Sequence, residues 1–150
     1  MSDTTRFHLA TEWTGRKHSF TVEVWPTRVE MLAHLTEVHP DGNWAETNEA
    51  GETVAGAFIN DHGFMSNAAP EHLGTIYLNA EYLDINTTSH EIIHAALFAY
   101  ECDLIGDYSR ARVHMNGTNE TVAYLIGNLF SDLVEQLIDH DLYVSGRVAA

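Results

Sequence analysis

The chain has 150 residues, 45% of them apolar, which suits one globular domain with a single hydrophobic core, and one domain over residues 1–150 is expected. Its 22 acidic residues face only 7 basic ones, giving a formal charge of -15, so the surface repels nucleic-acid phosphates and anionic membranes and neither is expected as a partner. A single cysteine, Cys102, makes no internal disulfide, and no apolar run reaches the roughly 20 residues of a membrane span, so a cytoplasmic location is expected.

In chain order, residues 6–13 and 18–25 alternate apolar with polar side chains, as in Phe20, Val22 and Val24, and read as a hairpin around Gly15 and Arg16. Thr27 follows as a cap. Val29, Met31, Leu32, Leu35 and Val38 then recur at helical spacing until the turn residues from His39 to Gly42. Residues 41–52 are polar, 54–59 read as a strand, 61–73 as a loop and 74–78 as a further strand. Residues 84–89 supply several N-cap candidates for a second helix marked by Ile92, Ile93, Ala96, Leu97 and Tyr100. The last helix is the clearest, with a stripe from Val122 through Leu125, Leu129, Leu133 and Leu137 to Ile138. The order β-β-α-β-β-α-α implies a small α+β domain, its antiparallel or mixed sheet packed on the second helix and the long C-terminal helix.

The second helix holds His90-Glu91-Ile92-Ile93-His94. Residues four apart on a helix lie about 6 Å apart on one face, so both imidazoles reach one Zn2+ while the neighbouring carboxylate addresses water. Ten histidines make a chance match credible, on the order of one shuffled chain in twenty. Context must therefore support it. A catalytic zinc needs a third protein ligand, and Glu120 is preferred: Glu120, Ala123 and Gly127 share a stripe of the last helix whose small residues would let it approach the metal helix. His114, Asp103 and Asp107 are the rival third ligands. Glu91 also fits a Thr88-x-x-Glu91 capping box, and Glu120 also fits a first-turn acid facing the helix dipole.

His90-Glu91-x-x-His94, followed after 24 intervening residues by Asn119-Glu120-x-x-Ala123, resembles the gluzincin branch of zinc metallopeptidases. The resemblance spans roughly residues 74 to 130 in arrangement and only these positions in identity. It implies a zincin-like fold with His90, His94 and Glu120 on zinc, Glu91 as general base and a peptide or protein substrate. It also implies a strand beside the metal helix that pairs with extended substrate, for which residues 74–79 are the candidate. The short, lysine-poor chain resembles a minimal phage-encoded or bacterial member, working in a host's cytoplasm in the first case.

In such a site the ion acidifies water and polarises a carbonyl, and Glu91 takes the proton and delivers it to the leaving amine. His114 is the preferred oxyanion donor, in the loop between the two helices, with Tyr108, Arg110, Arg112 and Tyr124 as alternatives. Two other functions stay open. One is an acidic interaction or inhibitor protein for a basic partner, with an incidental or structural metal site; the other is a metal-dependent amidase for a small molecule. The oligomeric state is left undetermined.

Overall fold

The computed structural model describes residues 3–12, 17–42, 44, 54–61, 71–103 and 120–146, with the side chains of Asp103, Glu120 and Thr121 outside that set. The elements are β1 (Thr5–Thr11), β2 (His18–Trp25), α1 (Arg28–Val38), β3 (Ala57–Asn60), β4 (His72–Asn79), a 3-10 turn (Ala80–Tyr82), α2 (Ile85–Asp103) and α3 (Glu120–Asp139). They form an α+β fold with a four-stranded mixed sheet in the order β1-β2-β4-β3.

β1 and β2 form the expected antiparallel hairpin, with Phe7 opposite Val22 and Leu9 opposite Phe20. β2 runs parallel to β4, placing Val22 beside Ile76 and Val24 beside Leu78, and β3 closes antiparallel on β4. Because strand side chains alternate between faces, Phe7, Leu9, Phe20, Val22, Val24, Ile76 and Leu78 form one buried surface. Helices α2 and α3 cover it.

Residues 74–79, expected to pair with substrate, lie inside β4, which has β2 on one side and β3 on the other. Residues 74–77 are paired on both sides, and 78–79 with β2. Among the described residues the edge strands are β1 and β3, and β3, paired only with β4, is the one that lines the groove with α2. Gly74 permits this pairing: a Cβ there would stand 2.4 Å from the Ile59 carbonyl oxygen, so any side chain would push β3 away.

α3 contributes Leu125, Leu129, Leu133 and Leu137, one per helical turn, all fully buried. Each such leucine contributes about 1.5–3 kcal/mol of transfer free energy. The small residues that bring the two helices close belong to α2, where Ala95, Ala96 and Ala99 are fully buried. The stripe expected to do so on α3 does not: Ala123 and Gly127 are exposed, and nothing lies within 4 Å of a Cβ built on Gly127. A helix turns its largest apolar stripe inward, and on α3 the leucines outweigh the small residues.

On the opposite sheet face α1 packs Met31, Leu32 and Leu35 against Ala57 and Tyr77. Thr27 caps α1 as expected, accepting from the Glu30 N–H at 3.2 Å. This helix leaves Arg6 and His8, at the β1 end of that face, exposed. No helix among the described residues is long and apolar enough to cross a membrane.

Candidate metal centre

Where α2 starts decides the orientation of its motif. The Asp84 carboxylate accepts from the Thr87 N–H at 2.7 Å and its carbonyl accepts from the Thr88 N–H at 3.0 Å, so Asp84 is the N-cap. Thr88 is therefore inside the helix and buried, with its hydroxyl donating to the Asp84 carbonyl at 2.8 Å. A Thr88–Glu91 capping box is ruled out by this geometry, because Thr88 is no longer at a cap.

With α2 phased this way, Ile92, Ala95, Ala96 and Ala99 face the core, and His90, His94, Leu97 and Glu101, spaced four, three and four residues apart, form the opposite stripe. His90 and His94 turn their Nε2 atoms toward each other at 3.2 Å, with ring planes at 77°. Two nitrogens each 2.0–2.1 Å from a tetrahedral zinc stand about 3.4 Å apart, so the pair already has the bite of one ion. Glu91 completes a cluster in which one ligand atom from each of the three side chains lies within 4.8 Å of the others. His90-Glu91-x-x-His94 is thus a His/Glu/His cluster able to hold a metal ion, and the donor set fits zinc.

The electrostatics favour the same chemistry. Burial pushes the Glu91 carboxyl up to about 7, into the range of a group that exchanges protons near neutrality. Burial, and then the neighbouring His90, lower the His94 pKa, which favours the neutral imidazole that a cation binds. Space beside the carboxylate is kept by Gly56: a Cβ there would lie 3.2 Å from the Glu91 Cγ and Oε2 and 3.1 Å from the Tyr77 carbonyl oxygen.

The cluster opens into a groove of about 510 Å³ between β3 and α2. Gly56 to Asn60 form one wall, the stripe of α2 with Glu91 and Phe98 forms the other, and Trp44 also lines the groove. The Trp44 indole is fixed by its Nε1–H donating to the His39 carbonyl at 2.8 Å, and Gly42 leaves room for it. Trp44 packs partly on the α1 cluster and lines the groove as well.

Of the other residues singled out by sequence, Glu120 is the first residue of α3 and its side chain lies outside the described residues, as do His114, Asp107, Tyr108, Arg110 and Arg112 and the Asp103 side chain. Tyr124 is exposed. Sequence reasoning missed a second polar cluster, on the open sheet face. The His72 Nδ1 pairs with the Asp61 carboxylate, His72 Nε2 is 2.8 Å from the Thr21 hydroxyl, and that hydroxyl is 3.3 Å from the His8 Nδ1. With His72 placed in a loop by its sequence surroundings, no local signal marked this chain; it arises from the parallel pairing of β2 with β4.

Comparison of the chain with protein-family models, curated proteins and solved structures returns no match.

Proposed function

We propose that the chain is a zinc-dependent hydrolase that cleaves peptide bonds, with His90 and His94 as ligands and Glu91 as general base. The observation behind this reading is the 3.2 Å separation of the two Nε2 atoms beside a carboxylate whose pKa is raised to about 7. Bound zinc supplies the Lewis acidity that acidifies water and polarises a carbonyl. The chain's own residues do the rest. His90 and His94 would hold the ion in the groove, Glu91 would take a proton from water and later deliver it to the leaving amine, and β3, an edge strand among the described residues, would hydrogen-bond an extended substrate. Edge pairing gives a peptide two sets of partners, backbone to β3 and side chains to the groove, which a small amide lacks.

Glu120 is our candidate for the third ligand and His114 for the oxyanion donor, on the resemblance to gluzincins in His90-Glu91-x-x-His94 and Asn119-Glu120-x-x-Ala123. Zinc titration of Glu120→Gln decides the point: a ligand's loss weakens binding at least tenfold, and unchanged affinity transfers the role elsewhere. For the reaction itself, Glu91→Gln keeps about one zinc per chain and lowers peptide hydrolysis by 10²–10⁴-fold. Full hydrolysis by Glu91→Gln removes the mechanism.

A further inference from the structure

Beyond the ion, the groove has a direction and a gradient. Gly56 lies against Glu91, and two residues on, the Phe58 ring sits 5.9 Å from the Phe98 ring. β3 and the outer stripe of α2 therefore run side by side away from the metal end. Along that path the walls are first apolar, with Phe58, Leu97 and Phe98, and then end in a carboxylate, the exposed Glu101. Phe58 is wedged between Phe98 and the core residue Phe20, whose ring centroid is 5.8 Å away, so the apolar stretch is held by the fold.

Resting on the function proposed above, we infer that the groove selects extended peptides with an apolar side chain next to the reacting bond and a lysine or arginine two residues further along, opposite Glu101. The spacing follows from two repeats. Seven residues of helix from His94 to Glu101 rise about 10 Å, and three residues of extended peptide cover the same length. In a strand the first and third residues point the same way, so the residue over Leu97 and Phe98 and the residue over Glu101 face α2 together while the second points outward. The charge of the whole chain, -15, works in the same direction by drawing cationic peptides toward the groove. Glu101 is the end of that attraction, giving it a position along the peptide.

The test uses zinc-loaded Glu91→Gln, which binds without turnover, and fluorescein-labelled peptides that differ only in carrying Lys, Gln or Glu at the third position. Fluorescence anisotropy is expected to give about fivefold tighter binding for Lys than for Gln at low salt, shrinking as salt rises. Glu101→Gln placed on that background should abolish the difference, and Glu101→Lys should reverse it in favour of the Glu peptide. A Lys preference that survives Glu101→Gln overturns the inference, as does indifference to the third position. Wild-type zinc protein is assayed on the same peptides: if it cleaves none of them while the Glu101-dependent preference holds, the hydrolase reading falls and the recognition stands. Cleavage at equal kcat/KM for all three leaves the hydrolase and removes the recognition.

Discussion

His90 and His94 meet because they are four residues apart on α2, whereas His8 and His72 approach the same hydroxyl, Thr21, because β1, β2 and β4 align in one sheet. The first pair is fixed by one helix and turns its nitrogens on each other. The second is fixed by pairing across 64 residues of sequence, with a threonine between the rings and Asp61 behind one of them. A helix supplies ligand spacing as soon as it folds; a sheet supplies it only when every strand is in register. Thus the helical pair suits an ion, and the sheet pair, already satisfied by its own hydrogen bonds, serves the fold.

The largest effect should separate the two. His94→Ala should abolish zinc binding in elemental analysis of the purified protein, from about one ion per chain to none, while His72→Ala leaves the content unchanged. Zinc lost on His72→Ala would make the sheet cluster part of the centre and break the comparison.

The helical pair also depends on α3 holding α2 in place. Leu129→Ala, at a fully buried position of the core that α2 and α3 share with the sheet, should cost about 2–5 kcal/mol in urea unfolding, whereas the exposed Ala123→Ser changes stability by no more than about 0.5 kcal/mol. Equal costs would mean that α3 does not pack through its leucines.

Acidity tests Glu91. Its folded pKa is raised from 4.5 to about 7, so the folded chain holds the proton more tightly than the unfolded chain. In chelator-treated protein this stabilisation is complete below pH 4.5 and is lost as pH rises toward about 7. At about 1.4 kcal/mol per unit, it amounts to up to about 3 kcal/mol. The lowered pKa of His94 acts oppositely, adding stability as pH rises toward 6.5. Denaturant melts of Glu91→Gln should therefore lose the fall and keep the rise, and a wild-type curve that does not change on this substitution would place the carboxyl in water.

The smallest effect belongs to the sheet cluster. Asp61 and His72 have side chains more than a third exposed, so Asp61→Asn should cost only a few tenths of a kcal/mol and never more than about 1. A cost of several kcal/mol would show that the open face is held by this pair.

These contrasts also explain what was legible in the sequence. The helix period exposed His90 and His94, the caps Thr27 and Asp84 were visible as residue types, and the leucine stripe of α3 announced itself. Strand neighbours were not legible, because the order β1-β2-β4-β3 is set by pairing between distant segments, and residues 74–79 look alike in an edge or an interior strand. The small-residue stripe of α3 misled for a related reason. Ala123 and Gly127 satisfy the spacing of a close helix contact whether they meet a helix or water, and the competing leucines decided. His72 was hidden by a register shift at Ser19/Phe20, which carries β4 two residues beyond its obvious apolar run.

Around the circumference of α2, one arc of alanines and Ile92 is locked into the interior while the other arc bears the imidazoles, Leu97 and Glu101. Selection can therefore rewrite the outer arc one side chain at a time without disturbing the inner one. A scaffold divided in this way can drift between preferences while its architecture stays put, and descendants of a common ancestor could diverge in what they bind long before they diverge in shape.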